Sequence, residues 1–175
     1  DFPAEKLHET IPNFHNTPDR YRIFREAIAH DAAHRAASVQ PEIDFALARE
    51  AEMATIQNAL TTGEIPLRVT HNDTKLNNVL LDAQTRKALC VVDLDTVMPG
   101  SSLYDFGDAI RFAANFVEED CPDASKAGVN LNIYWAFAEG FLKYTASTLT
   151  EAEVETLGTS CFALACELAT RFLDD

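Results

Sequence analysis

The stretch VTHNDTKLNNVLL, residues 69–81, gathers several kinds of polar side chain between two short apolar segments. Asp73 supplies a carboxylate that can accept a proton, Lys75 supplies a cation, and Asn78 supplies an amide oxygen. His71 adds an imidazole to the same stretch. These groups can do chemistry together only if the flanking segments hold the loop at both ends.

A second polar segment follows a short distance along the chain. The stretch CVVDLDTVMPG, residues 90–100, predicts a buried strand that ends in Asp93 and Asp95, so that both carboxylates emerge at one strand end. Together with Asp73 and the amide oxygen of Asn78, they make an all-oxygen set. Hard divalent cations such as Mg²⁺ prefer such a set. The sequence therefore predicts a magnesium site beside the polar loop.

The rest of the sequence predicts helices around this small β region. Thr17-Pro18-Asp19 is typical of a helix start, and Thr150-Glu151-Ala152-Glu153 is a capping box. Apolar spacing predicts four helices: from Thr17 to about 34–38, from Pro41 to Gly63, from Leu131 onward, and from Thr150 through Phe172. Strands are predicted at 67–70, 79–81 and 88–92, and an exposed loop at 118–128. We expect one α+β, mostly helical domain over residues 1–175.

Composition narrows the classes of partner. The formal net charge of −14 is spread along the chain, and repulsion from phosphates disfavours binding to nucleic acid. An anionic partner such as a nucleotide would then need a cation between it and the protein. No apolar run approaches the roughly 20 residues of a membrane span, so no membrane partner is predicted. The four cysteines contain no C-x-x-C pair, which fits a reducing cytoplasm.

His71, Asp73 and Asn78 form the pattern H-x-D-x-x-x-x-N, and a predicted strand and Asp93 follow it. This arrangement resembles the catalytic and metal-binding segments of protein-kinase-like phosphotransferases. The D-x-D form followed by SSLYDFGDAIRF resembles the aminoglycoside phosphotransferase and choline kinase branch. The stretches FHNTPDRY, THNDTKLNNVL, DLDTVMPG and YDFGDAIR are similar to those of bacterial N-acetylhexosamine 1-kinases. This resemblance covers most of the chain and implies the C-terminal lobe of that fold.

The resemblance implies a role for each matching residue. Asp73 would accept or orient the proton of the acceptor hydroxyl, and Asn78 and Asp93 would hold Mg²⁺ on the phosphates of ATP. Asp95 would either add a second metal-binding carboxylate or cap a turn. Lys75 would either offset charge on the transferred phosphoryl group or be merely solvated. His71 and Asp105 would support the loop, and Arg111 would face either the acceptor or the loop.

The implied activity is an ATP-dependent kinase for the anomeric hydroxyl of an N-acetylhexosamine. Choline, ethanolamine or an aminoglycoside as the acceptor, or a non-catalytic pseudokinase-like module, are the alternatives. The last alternative would require a defect at the base or metal positions, where Asp73, Asn78 and Asp93 are intact. The chain opens without Met and contains no G-x-G-x-x-G loop, so we expect an ATP-grasping N-terminal lobe to be missing. The 175 residues alone are expected to be inactive.

Overall fold

The computed structural model describes residues 2–174, and in that range the fold is mostly helical with two small sheets, which confirms the predicted α+β class. The α-helices are α1 (Thr17–His30), α2 (Gln40–Leu47), α3 (Glu50–Met53), α4 (Thr55–Thr62), α5 (Ser102–Ala113), α6 (Leu131–Thr145) and α7 (Glu151–Asp174). The strands are β1 (Arg68–Thr70), β2 (Val79–Leu81), β3 (Ala88–Val91) and β4 (Met98–Gly100). Short 3-10 turns lie at Ala4–Lys6, Ala36–Val39, Leu76–Asn78, Leu94–Thr96 and Ala124–Lys126.

The four strands form two separate antiparallel pairs. β1 pairs with β4, with Arg68 opposite Gly100, and β2 pairs with β3, with Val79 opposite Val91. The polar loop therefore leaves one sheet and enters the other. The sequence did not predict β4, because Pro99 and Gly100 are residues that disfavour a strand.

The prediction that the strand before Asp93 is buried was wrong. All four residues of β3 are exposed, and Leu89 keeps 65% of its accessible surface. The β2–β3 hairpin contributes no residue to the two core clusters found within residues 2–174. A short apolar run does not by itself tell whether a second layer covers the strand.

Two predicted helix boundaries also differ from the structure. The first helix ends at His30 instead of 34–38, because Asp31 adopts a left-handed conformation with φ of 39°. The predicted second helix is divided into α2, α3 and α4, and Arg49, between the first two, departs from helical geometry with φ of −108° and ψ of 1°. The apolar spacing typical of a helix continues across these residues, although their backbone conformation ends the helix.

The start of the last helix follows the capping box. The Thr150 amide donates to Glu153 Oε2 at 2.8 Å, and the Glu153 amide donates in return to Thr150 Oγ1 at 3.2 Å. The predicted box is therefore confirmed. α5 is capped at its N-terminus by Ser101, whose hydroxyl accepts from the Leu103 amide.

The core is built around α5, which packs along α7. Phe106 is fully buried, and its ring meets Tyr134, Phe137 and Phe141 of α6 with centroids 5.1–6.2 Å apart. Such a buried anchor fixes the rotation of α5, so the neighbouring Asp105 takes a defined position under the polar loop. No helix within residues 2–174 has the length and apolar character needed to cross a membrane.

Candidate active site

The polar loop turns at Asn72, a residue with a left-handed backbone conformation, φ 65°. Asparagine tolerates this conformation better than most residues. Its side chain is buried, with Nδ2 donating to the Thr96 carbonyl at 3.0 Å and Oδ1 accepting from the Thr70 hydroxyl at 2.9 Å. Asn72 therefore ties the loop to the end of β1 and to the segment before β4, directly before Asp73.

Asp105 supports the loop from below. Its carboxylate accepts from the backbone amides of His71 at 3.0 Å and Asn72 at 2.7 Å, and its carbonyl accepts from the Thr74 hydroxyl at 2.6 Å. Burial raises the pKa of Asp105, and the two amide donors partly oppose that rise. Asp105 therefore contacts the backbone of the loop at His71 and Asn72 and the side chain of Thr74.

His71 links the loop to the segment that carries Asp93. Its Nδ1 accepts from the Asp73 amide at 3.3 Å, and its Nε2 lies 3.0 Å from the Val92 carbonyl. A carbonyl only accepts, so Nε2 carries the proton and Nδ1 is left to accept. This arrangement fits a neutral imidazole that holds two segments together.

The Asp73 carboxylate is partnered at both oxygens. Lys75 Nζ lies 3.2 Å from Oδ1, and Asn78 Nδ2 donates to Oδ2 at 3.2 Å and to the Asp73 carbonyl at 2.8 Å. The Asp73 side chain is 23% exposed, so the carboxylate is accessible from solvent. The structure thus brings Asp73, Lys75 and Asn78 together on one short turn.

Asp93 and Asp95 are exposed and lie side by side. Asp93 has φ of 62° and precedes the 3-10 turn Leu94–Thr96. A hydrogen bond to Asp95, with the charge of that carboxylate, raises the pKa of Asp93, and the charge of Asp73 adds to the effect. Asp73 is therefore a neighbour of Asp93 and Asp95, although it comes from a different turn of the chain.

The donor atoms in this corner fit a hard cation. Asp93 and Asp95 lie beside each other, and neither has an ion-pair partner among residues 2–174. Asn78 uses its Nδ2 toward Asp73, so its amide oxygen remains as a third ligand atom. Within the described part of the chain, no group of three or more His, Cys, Asp or Glu side chains is placed to hold a metal ion. A cation in this corner would therefore need the amide oxygen of Asn78 as a ligand beside the carboxylates.

Arg111 bonds two acids that lie outside the polar loop. Its guanidinium bonds Asp108 through Nε at 3.1 Å and Nη2 at 2.9 Å, and Nη1 reaches Glu119. Asp108 in turn meets the Thr74 hydroxyl at 3.5 Å. Arg111 is therefore connected to the loop through Asp108 and also lines a cavity beside the loop.

That cavity has a volume of about 1370 Å³ and opens next to the polar loop. Its polar lining comes mainly from Asn77, Arg111, Glu118, Glu119 and Asp120. The three acids come from the segment predicted as an exposed loop. The positive charge of Arg111 is already paired with Asp108 and Glu119. The net charge of this cavity wall is therefore negative.

Sequence reasoning missed several residues that build the site. Asn72 carried a local signal, since asparagine is favoured where φ is positive. His15 contacts the loop at Asn72, 57 residues away in sequence, and Glu167, 152 residues away, and no local pattern predicts such contacts. The side chain of His15 is only 10% exposed and lies against the loop.

One comparison with known protein families bears on this site. The model of the family described as APH, phosphotransferase enzyme family, matches residues 4–141. The match includes the polar loop, Asp93, Asp95, Asp105 and Arg111, and covers most of the chain.

Proposed function

The chain belongs to the APH phosphotransferase enzyme family, whose members are ATP-dependent kinases of small molecules, and on that premise we propose that it is the catalytic and acceptor-binding C-terminal lobe of such a kinase, folded as one domain. The observation that carries the proposal is the setting of Asp73. Its carboxylate is accessible, bound at both oxygens, and placed on a loop whose backbone is held by Asp105 and His71. Such fixed placement is what positioning catalysis requires.

In the proposed reaction, the hydroxyl oxygen of the acceptor forms a bond to the γ-phosphorus of ATP while the bond to the leaving oxygen of ADP breaks. Asp73 takes the hydroxyl proton, or orients the hydroxyl until the proton leaves. Lys75 lies 3.2 Å from Asp73 and brings a positive charge next to the transferred group. His71 and Asp105 act on the reaction only through the loop backbone.

Asn78, Asp93 and Asp95 are the residues we expect to hold Mg²⁺. When bound, Mg²⁺ would neutralise charge on the nucleotide phosphates. Without such a cation, a chain of net charge −14 would repel them. Asp95 is included because it contacts Asp93. The same contact would also serve a turn cap, which is the alternative role of Asp95.

For the acceptor, the resemblance to N-acetylhexosamine 1-kinases supports an amino sugar phosphorylated at its anomeric hydroxyl. A second candidate is favoured by a separate observation, the acidic wall of the cavity beside the loop. Glu118, Glu119 and Asp120 would attract a cationic acceptor such as choline, ethanolamine or an aminoglycoside. Arg111 lines the same cavity and, as a cation, would contact the sugar but repel a cationic acceptor.

The test is ³¹P NMR of the products formed by the intact natural protein with Mg-ATP and each acceptor in turn. N-acetylglucosamine, N-acetylgalactosamine, choline and an aminoglycoside are the acceptors, with Asp73→Asn as the inactive control and Asp44→Asn, an exposed acid of α2, as the matched control. A new anomeric phosphate signal that is lost only in D73N supports the sugar kinase. Phosphate on choline or the aminoglycoside selects the second candidate. Nucleotide binding without transfer to any acceptor would instead favour a pseudokinase-like binding module.

A further inference from the structure

His15 joins the last helix to the polar loop. Its Nδ1 lies 2.9 Å from Glu167 Oε1 on α7, and its Nε2 lies 3.1 Å from the carbonyl oxygen of Asn72. The His15 side chain is 10% exposed and that of Glu167 is 4% exposed. The imidazole therefore makes both of its hydrogen bonds out of contact with bulk water.

The two partners determine the protons of the ring. The Asn72 carbonyl can only accept, so Nε2 must donate. An ionised Glu167 can also only accept, so Nδ1 must donate as well, and His15 is then an imidazolium ion paired with a buried carboxylate. Glu167 Oε2 is buried without a hydrogen-bond partner in the structure, so His15 is the group that compensates this charge.

The carbonyl that His15 holds belongs to the peptide that precedes Asp73. The amide at the other end of the same peptide donates to His71 Nδ1 at 3.3 Å. Two imidazoles thus bind the two ends of one peptide group, at a residue, Asn72, whose φ is 65°. Rotation of this peptide would swing the Asp73 side chain away from Lys75 and Asn78.

We propose that His15 and Glu167 form a positioning pair, which fixes the Asn72–Asp73 peptide and through it aims the Asp73 carboxylate. This inference rests on the proposed role of Asp73. Stability alone does not account for the pair, because buried ion pairs are commonly replaced by apolar residues without loss of stability. An apolar pair at these positions would fill the space but could not hold the Asn72 carbonyl.

The surroundings of His15 favour its charged form. Asp108 and Asp105 of α5 add negative charge on one side, and Glu167 does so from α7. The Tyr104 ring lies against the imidazole with centroids 4.6 Å apart. These contacts leave the ring little freedom to turn away from the loop.

The kinetic test uses the intact natural protein with Mg-ATP and whichever of N-acetylglucosamine, N-acetylgalactosamine, choline and the aminoglycoside is phosphorylated in the ³¹P experiment. His15→Phe keeps an aromatic ring against Tyr104 but removes both hydrogen bonds, and we expect kcat to fall by about 10- to 100-fold with little change in the KM for ATP. His30→Phe, at an exposed histidine of α1, is the matched control and should leave kcat unchanged. An unchanged kcat in H15F would overturn the proposal.

A second pair of variants separates positioning from packing. In Glu167→Gln the introduced amide can donate to Nδ1 of a neutral His15, whose Nε2 still donates to Asn72, so kcat should stay within about threefold. In Glu167→Leu the volume is similar but Nδ1 has no partner, and kcat should fall as in H15F. Equal kcat values for E167Q and E167L would contradict the proposal.

Hydrogen exchange of the Asp73 amide tests the same pair without any activity. In H15F and E167L we expect this amide to exchange about tenfold faster than in the unmodified protein, while amides in α5 keep their rates. Unchanged Asp73 exchange would overturn the positioning role. If the unmodified protein transfers no phosphate but the exchange result is as expected, the kinase proposal fails and the positioning pair stands.

Discussion

Gly107 of α5 lies against the backbone of Ser160 on α7 so closely that a β-carbon on Gly107 would come within 2.5 Å of the Ser160 carbonyl oxygen. The missing side chain lets the two helices approach along their buried faces. Since Asp105 and Asp108 lie on the same helix, this contact also sets the distance between α5 and the polar loop.

Gly107→Ala should therefore destabilise the protein. The added methyl group meets rigid backbone, and overpacking of this kind costs about 1–3 kcal/mol. Gly158→Ala on α7 is the matched control, because nothing lies within 4 Å of its β-carbon position and alanine favours a helix by about 1 kcal/mol. Urea denaturation of both variants should give free energies of unfolding that change in opposite directions. A neutral G107A would show that α5 can move away from α7 without cost.

Arg68 and Glu153 form a second long-range connection, between β1 and the first turn of α7. Nη2 of Arg68 lies 2.6 Å from Glu153 Oε2, Nε bonds Oε1, and the Glu153 side chain is fully buried. Burial alone would raise the pKa of Glu153, but hydrogen bonds from Arg68, Thr150 and Ser102 outweigh it and the pKa is lowered. The ionised form is therefore the one that stabilises the fold.

Glu153→Gln should lower the free energy of unfolding by roughly 3 kcal/mol at pH 7, because it leaves Arg68 without its charged partner. Because the pKa of Glu153 is lowered in the folded state, the stability that its ionised carboxylate contributes is present above the pKa of the unfolded state. It is lost as the pH falls through the pKa of Glu153 in the folded state. The deficit of E153Q relative to the unmodified protein should accordingly shrink below about pH 4. Glu151→Gln, exposed on the same helical turn, should show neither effect. A deficit that is constant with pH would contradict the ion-pair explanation.

Local patterns predicted the parts of the fold that depend on local chemistry. The capping box at Thr150 and the helix from Leu131 are confirmed, because capping bonds and helical apolar spacing involve residues a few positions apart. The exposure of β3 and the existence of β4 were not predicted, since both depend on which segments pack or pair across the fold. The same limit explains why α1 was extended past Asp31, whose left-handed backbone leaves no periodic signal.

The residues of the site also fall into those that local patterns predicted and those that they did not. Asp73, Lys75 and Asn78 lie on one turn, so their types and spacing were visible in the sequence and their proximity is observed. The residues that hold this turn come from distant segments: Thr96, Asp105, His15 and Glu167. Only Asp105 among them could be inferred, and that inference came from the family resemblance. The chemical roles of all these residues remain predictions.

The titration of His15 gives a pH prediction with a definite sign. Burial would lower the pKa of this imidazole, but the hydrogen bond and the charge of Glu167, with the Asn72 carbonyl and Asp108, raise it above its ordinary value. Stability from this pair is therefore fully present below the pKa of the unfolded state, about 6.5, and is lost as the pH rises through the folded value. NMR titration of the ring nitrogens should place the His15 pKa above 6.5 in the unmodified protein.

In Glu167→Gln the same titration should move below 6.5, because burial then acts without the opposing carboxylate. The free energy of unfolding of E167Q should also change less between pH 6 and pH 9 than that of the unmodified protein. His30→Phe serves as the control and should leave the His15 titration unchanged. A His15 pKa that is equal in E167Q and in the unmodified protein would exclude the buried ion pair.

The proposed cation site can be tested by paramagnetic broadening with Mn²⁺, which accepts the same oxygen ligands as Mg²⁺. In the intact natural protein we expect the backbone amides of Asn78 and Asp93 to broaden first, and Asp93→Asn to weaken Mn²⁺ binding about tenfold or more. Asp95→Asn resolves the two roles left open for that residue: an equal loss makes it a ligand, and unchanged affinity makes it a turn cap. Asp44→Asn, on the exposed face of α2, is the control. The contrary result is broadening that is centred on the acidic cavity wall, at Glu118 to Asp120, and that D93N does not change. It would show that Asp93 is not a metal ligand and would contradict the magnesium mechanism built on it.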